Sequence, residues 1–387
     1  MASDIPGGQQ AADVALAAFD VAGYAAARNE VWPVARRGAS GLSPYIRHGL
    51  LSLRRVWEHV GSGPATDVER FRDELLWQEY SRHLYARVGR ATRRSLRYSV
   101  AEHGPPGGNP WVSEARCLDQ AWGELQVRGW LPNQMRMWLA SHWNVRSGMG
   151  WRDGEDLFFR YLLDGSRAAN RTGWQWTVGA LTGKPYGFSR WQVEKRAPGM
   201  CLECPLASAC PIEQWPDEQS VSARTAIDPR LRRITDVADV TGPLQVSMVS
   251  TGTAPEAVWI TAESLSDADP ALAGHPDLPA VFVFDEPLLK RLRLSPLRLV
   301  FLAETLADLN RRRPVEVLIG DPAVEIGDRP VAATFAPVPG WRDRASRMRV
   351  VQTHPWPWLV VPDNGPATSF TAWVRGNGGV RKLVGRR

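Results

Sequence analysis

Hydrophobic periodicity changes once along this chain, and that change limits the folds open to it. From Val68 to Val88 apolar residues stand at helical spacing (Phe71, Leu75, Leu76, Tyr80 and Leu84) among charged ones. Leu118–Trp143 repeats the pattern, and Asp153–Leu163 is a shorter helix of the same kind. A Gly/Pro loop, Gly104–Pro110, separates the first two. Ser43 stands where it can cap a helix that Pro44 opens. Beyond residue 250 the texture is different. Ala257–Thr261 and Ala280–Phe284 are short apolar runs of the sort buried in a parallel sheet. A helix over Leu297–Leu309 and a strand over Val315–Ile319 follow. Strand alternating with helix predicts an α/β layer. The expected class is therefore α plus α/β, with a helical domain over 1–215, a polar linker over 216–250, an α/β domain over 251–375 and a loose basic tail over 376–387.

No apolar run is long enough to cross a bilayer, and no basic region followed by an apolar stretch opens the chain. The expectation is a monomeric cytoplasmic protein with no membrane partner. The net charge of +6 comes largely from arginine, with a cluster at Arg87, Arg90, Arg93, Arg94 and Arg97. Arginine forks suit phosphate, so nucleic acid is one reading of that cluster; a solvated surface is the other, and charge alone does not separate them. Tryptophan is over-used, at 18 of 387 residues, many of them between Trp111 and Trp191. Indoles anchor cores, stack on bases or flavins and carry electrons, and composition does not choose among these roles.

There are four cysteines, and three of them lie in Cys201-Leu-Glu-Cys204-Pro-Leu-Ala-Ser-Ala-Cys210, followed by Pro211. A Cys-x-x-Cys pair can place two thiolates on one ion, a third stands close by, and Cys117 is available as the fourth. An iron-sulfur cluster and zinc both suit this spacing, as do four unrelated reduced thiols.

Several separate motifs occur together: Ser40-Gly-Leu-Ser43-Pro-Tyr, Glu74-Leu-Leu-Trp77-Gln-Glu-Tyr80, Gly129-Trp-Leu-Pro-Asn133-Gln-Met-Arg136-Met137, and Trp151-Arg-Asp-Gly-Glu-Asp … Leu163-Asp-Gly … Asn170-Arg-Thr-Gly-Trp174-Gln-Trp176. In this order they resemble the FAD domain of the photolyase/cryptochrome family, over roughly residues 15–200. The resemblance implies FAD as cofactor. Asn170 would face flavin N5, Arg136 and Asp164 would form the ion pair beside the ring system, and Tyr24, Ser40, Leu42 and Ser43 would contact the cofactor. Trp174 and Trp151 would be the inner members of an electron-carrying tryptophan chain, with Trp111, Trp122 and Trp143 as candidates for the outer one. Glu74 would hydrogen-bond damaged bases held between Trp77 and Trp176. Asn133 and Met137 match enzymes that act on cyclobutane dimers, whereas (6-4) enzymes carry His at those places.

The implied function is a light-driven DNA photolyase acting on DNA with pyrimidine dimers, a flipped dimer being cheap to unstack. A cryptochrome-like photoreceptor without repair is the alternative. Gln134, Ser166 and Arg171 depart from the common residues of the family. Cys117, Cys201, Cys204 and Cys210 resemble the ligands of a four-iron cluster, [4Fe–4S], in a bacterial branch of the family, with zinc still open. Val281-Phe-Val-Phe-Asp285 … Arg298-Leu-Val-Phe301-Leu … Gly320-Asp-Pro322 resembles the small Rossmann-like α/β domain of photolyases, as does Trp356-Pro-Trp358-Leu … Ser369-Phe-Thr-Ala-Trp373 more loosely. That domain usually comes first. Its place here implies a circular permutation, and no residues for an antenna chromophore are identifiable in it.

Overall fold

The computed structural model describes residues 3–216, 227–234, 236–248 and 252–379. Its longest helix, Ala65–Val88, buries Phe71, Leu75, Leu76, Tyr80 and Leu84 and stops at Gly89, whose φ of 54° suits glycine. The expected helix over Leu118–Trp143 is divided into Arg116–Arg128 and Asn133–Ser141, followed by a π-helical turn over His142–Arg146. Gly129 and Pro132 cause the break. Gly129 has φ +67°, and a Cβ there would come within 2.9 Å of Leu163, so the chain turns where only glycine lets two segments touch. The Leu163 N–H donates to the Gly129 carbonyl (2.7 Å) across this contact. Helices Trp151–Tyr161 and Arg167–Thr177 follow. Ser43 is the first residue of helix Ser43–Arg47 rather than its cap, because its hydroxyl accepts from Trp130 Nε1 (3.0 Å).

The strands β1 (Ser247–Met248), β2 (Ala257–Ile260), β3 (Ala280–Asp285), β4 (Val315–Gly320), β5 (Val331–Thr334) and β6 (Val350–His354) form one sheet in the order β1-β6-β5-β2-β3-β4. The β1–β6 pair is antiparallel and the others are parallel. The central strands β2 and β5 are buried throughout, as a sheet covered on both faces requires. Val258, Ile260, Ala280 and Phe282 face a cluster shared with the helical half, whereas Trp259, Val281 and Ala333 face Trp341, Trp356 and Trp358. In the stretch expected as a linker, residues 217–226, 235 and 249–250 fall outside the described residues. Its described part includes the helical turns Pro229–Leu231 and Ala238–Thr241 as well as β1. The tail is described only to Gly379.

The Ala65–Val88 helix stitches the two halves together. The carboxylate of Glu79, fully buried, accepts from the Leu359 and Val360 N–H groups (2.8 and 3.0 Å). Tyr80 donates to the Ala367 carbonyl (3.0 Å). His83 Nδ1 accepts from Trp373 Nε1 (3.0 Å), which leaves Nε2 to carry the proton donated to the Val360 carbonyl (2.8 Å). Burial pushes His83 down to about 3, so it stays neutral where an unfolded chain would protonate it. Below the ordinary histidine value the unfolded state binds a proton that the folded state refuses, so this contribution is lost as pH falls from about 6.5 toward 3. Between pH 7 and pH 5 wild-type protein is expected to lose on the order of 2 kcal/mol more unfolding free energy than His83→Gln. Urea titrations of both proteins at the two pH values check this; equal losses would refute it.

Candidate functional site

Two segments of the helical half meet at Arg136 and Asp164. Arg136, on the Asn133–Ser141 helix, is aimed by its Nε–H donating to the Leu131 carbonyl (2.8 Å). Its two Nη atoms then meet both oxygens of Asp164 (3.1 and 2.8 Å), a fork-to-fork pair with directional strength. Asn170, one helix on, donates from Nδ2 to the backbone carbonyl and the Oε1 of Glu155 (3.0 Å each). Glu155 is nearly fully buried, and its Oε2 takes Arg167 (2.5 Å) and Arg171 (3.5 Å). Burial pushes its carboxyl up, against the pull of these two guanidiniums. Arg171 also donates to Thr92 Oγ1 (2.9 Å), which gives this departure from the family pattern a bracing role. Ser166 caps the Arg167–Thr177 helix by accepting from the Ala168 N–H.

Ser40 lines a cavity of about 310 Å³ together with Gly41, Arg37, Tyr45 and Trp130, within the size range of ligand pockets of roughly 300 Å³ and above. Arg37 is held there by a two-point pair with Glu124 (2.5 and 2.9 Å). The short helix from Ser43 to Arg47 joins this cavity to the Asp164 segment, since Arg47 Nε donates to the Gly165 carbonyl (3.1 Å) and His48 Nε2 meets the Leu163 carbonyl (3.1 Å). Two of the expected cofactor residues pack against apolar neighbours, one of them fully buried and the other half-buried. Leu42 is fully buried, and Tyr24 sits edge-on to Phe71 at 4.9 Å.

Trp174 packs against Gly154, where a Cβ would come within 2.2 Å of the indole, and its buried Nε1 has no protein partner. From it runs a series of ring contacts: Phe158 at 5.2 Å, then Trp111 at 5.6 Å from Phe158, then Trp122 at 5.1 Å from Trp111. Trp143 branches off Trp111 at 4.8 Å and is buried. Trp122 is partly exposed. Trp151 is buried one turn from Gly154, and among the described residues no ring contact joins it to Trp174.

Trp77 and Trp176 are both half-buried against the same apolar cluster. They reach it from the Ala65–Val88 and Arg167–Thr177 helices, which are tied by Ser81 and Thr172 hydroxyls at 2.8 Å. One face of Trp77 is stacked on Phe370 (4.1 Å, 14°). Trp176 leans on Tyr186 at 5.6 Å. The Tyr186 hydroxyl donates to Gln192 Oε1 (2.9 Å) and accepts from Gln134 Nε2 (3.1 Å), so the unusual Gln134 supports Trp176 through Tyr186. Asn133 donates to Met137 Sδ (3.4 Å), and Glu74 pairs loosely with Arg28 at 3.9 Å. The sequence reading assigned no role to Glu155, Tyr186 or Phe370. Phe370 lies inside the Ser369–Trp373 motif, whereas nothing in the sequence marks Tyr186.

The four cysteines are free. Burial pushes the Cys117 thiol up to about 12, and Cys201, Cys210 and Cys204 each add to the push, which places the four in one electrostatic neighbourhood. The Arg116 N–H points at Cys204 Sγ (3.5 Å). Among the described residues, no three His, Cys, Asp or Glu side chains are gathered closely enough to hold a metal ion. Also among the described residues, no helix is long and apolar enough to cross a membrane.

Residues 71–191 match the family described as the FAD binding domain of DNA photolyase. The deoxyribodipyrimidine photo-lyase of Vibrio cholerae is 31% identical over 171 residues, covering 39% of this chain and 35% of that protein. That of Thermus thermophilus is 32% identical over 197 residues, covering 46% and 44%. A bacterial class III photolyase from Agrobacterium tumefaciens superposes with a TM-score of 0.39 at 23% identity, covering 44% of this chain and 37% of that one. The chain thus spans less than half the length of these relatives. Over residues 71–191, where Arg136, Asp164, Asn170 and Trp174 all lie, the chain is similar to the FAD binding domain of DNA photolyase.

Proposed function

We propose that the protein is a blue-light-driven deoxyribodipyrimidine photolyase that splits cyclobutane pyrimidine dimers in DNA. The observation that supports this most is the pair of half-buried indoles, Trp77 and Trp176, on two hydroxyl-tied helices, with Asn133, Met137 and Glu74 retained in the same helical half. Apolar faces that are still partly open can take unstacked bases, and the Glu74 carboxylate can accept their N–H groups. FAD is supported by the two-point Arg136–Asp164 pair and by a cavity at Ser40, which neither residue of that pair lines. Ser40, Ser43, Arg136, Asp164 and Asn170 would hold the cofactor, which when bound supplies light absorption and a transferable electron. The test is blue-light irradiation of purified, photoreduced protein with a dimer-containing oligonucleotide. Loss of dimers is expected, and intact dimers would sink the repair reading.

The alternative is a photoreceptor of the cryptochrome kind, which keeps flavin photoreduction but not repair. It is favoured by one contact: Phe370 already covers a face of Trp77. Absence of affinity for damaged DNA, together with a light-dependent change of partner, would select it.

In this reading the chain is a circular permutant, with the helical half first and the parallel sheet second. The support is the sheet itself, β2 to β6 parallel and packed into one core with the helices. The four cysteines are a thiolate site with a structural role, for a four-iron cluster or zinc. Their shared neighbourhood supports this, although the thiols are not closed on one point. Metal analysis of purified protein is expected to find iron with sulfide, or zinc. Cys201→Ala is expected to lose that metal and several degrees of thermal stability. Metal-free wild-type protein of equal stability would refute the site.

A further inference from the structure

The backbone on both sides of Asp164 is clamped, and one of the clamps comes from the other half of the molecule. Before Asp164, the Leu163 carbonyl meets His48 Nε2 (3.1 Å), and the Leu163 N–H is spent on the Gly129 carbonyl. After it, the Gly165 carbonyl accepts from both Arg47 Nε (3.1 Å) and Arg298 Nη2 (3.0 Å). Arg298 belongs to the Pro296–Asn310 helix, which packs against the sheet. Its other Nη donates to the Phe159 carbonyl at the end of the preceding helix, and its guanidinium lies over the Phe159 ring at 4.8 Å. Gly165 makes this approach possible, since a Cβ there would stand 2.8 Å from Arg298 Nη1. Arg298 is almost wholly buried, and Asp164 and Glu263 are the carboxylates whose fields favour its charge.

A buried guanidinium is costly to desolvate, and helix-to-helix packing would be served as well by an apolar side chain. A planar fork that bridges two carbonyls five and one residues from Asp164 does something packing does not: it fixes the path of the segment. We propose that Arg298, carried on the sheet half, is a positioning residue of the flavin site, holding the Leu163–Gly165 segment so that Asp164 meets Arg136 in a two-point pair. The flavin site of the helical half is then incomplete without the sheet half. This rests on the reading that Arg136 and Asp164 flank the flavin.

The test uses the full chain and measures FAD binding by fluorescence titration, with the visible circular dichroism of the bound flavin as a second readout. Arg298→Met is expected to bind FAD about tenfold more weakly and to change the dichroism, the size of loss typical when an orienting outer contact is removed. Arg298→Lys, which keeps charge and most of the volume, is expected to recover part of both. Arg87→Met is the control. Arg87 is equally buried and also bridges two carbonyls, those of Gly365 and Asp363, but in a different part of the interface. It is expected to lose stability without loss of FAD affinity. In a double-mutant cycle Arg298→Met and Asp164→Asn are expected to be non-additive, because one acts through the other. If Arg298→Met binds like wild type, or if Arg87→Met weakens binding as much, the proposal is overturned while the flavin reading stands. If Arg298→Met does not fold, wild-type affinity in Arg298→Lys together with additive effects of Arg298→Lys and Asp164→Asn overturns it. A wild-type protein that takes up no FAD at all overturns the underlying reading and the proposal with it.

Discussion

Trp174→Phe protein loaded with FAD is expected to photoreduce roughly a hundredfold more slowly than wild type while keeping its flavin. The geometry gives the reason. Trp174 meets Gly154 with the outer edge of its indole, so the shorter phenylalanine keeps an aromatic ring in the slot and leaves only a small gap at Gly154. What is lost is an oxidisable ring at the head of the contact series Trp174, Phe158, Trp111, Trp122. Trp174 has no protein acceptor for its indole proton, so an electron vacancy there would not be trapped by proton transfer to the protein and could move outward. Trp111 donates its N–H to the Leu139 carbonyl (2.8 Å), a weak base that also leaves the proton in place. Trp122 is partly exposed, and a vacancy that reached it would end by loss of the indole proton to water. On this route Phe158 would not itself be oxidised and would couple Trp174 to Trp111, which it touches on either side. Trp111→Phe and Trp122→Phe are therefore expected to slow photoreduction, whereas Trp143→Phe, on a buried side branch, is expected to leave it nearly unchanged. Illumination under a fixed external donor, with the flavin bands followed in time, measures these four variants and Trp151→Phe. If Trp151→Phe alone stops the reaction and Trp111→Phe does not, the route runs along the Trp151–Tyr161 helix and the ring series is only core.

The elements that the sequence shows well are those whose signal is local. The Ala65–Val88 helix has an apolar stripe repeated over six turns, and β3 contains the large apolar run Val281-Phe-Val-Phe284; both are readable within a residue or three of their ends. The break at 129–132 is also written locally, in Gly129 and Pro132, but the apolar pattern on either side hides it. Strand β5, Val-Ala-Ala-Thr, carries too few large side chains to stand out, and its burial comes from the strands that flank it. At the site, Arg136 and Asp164 are legible through resemblance because both lie within one motif series. The contacts that hold them are not. Arg298 reaches Phe159 across 139 residues and His48 reaches Leu163 across 115, and no spacing rule connects such pairs. Ser43 shows the converse error: a hydroxyl before a proline looks like a cap, and a tryptophan 87 residues away takes it instead.

Glu155 is where the second large effect is expected. Glu155→Ala should lower the unfolding free energy by about 3–5 kcal/mol, the usual cost of removing one partner from a buried charged network. Its two oxygens serve three side chains: Oε1 takes Asn170, and Oε2 takes Arg167 and Arg171. Without it, Arg171 is left in the interior with only Thr92 Oγ1 as a hydrogen-bond acceptor, while Arg167 keeps the more exposed Asp156. Asn170 keeps the backbone carbonyl of residue 155 but loses the acceptor that fixes its amide plane, so flavin uptake is expected to fall along with stability. Glu155→Gln separates the two functions of the carboxylate. Burial already pushes the Glu155 carboxyl up, so the neutral form is better tolerated there than in water. Glutamine also keeps an oxygen for Asn170. Its cost is expected to be clearly smaller than that of alanine, with flavin uptake retained. Urea unfolding and flavin content of the two variants decide the matter: if glutamine is as damaging as alanine, the charge facing Arg167 and Arg171 governs this network, and the orientation of Asn170 is a by-product of it.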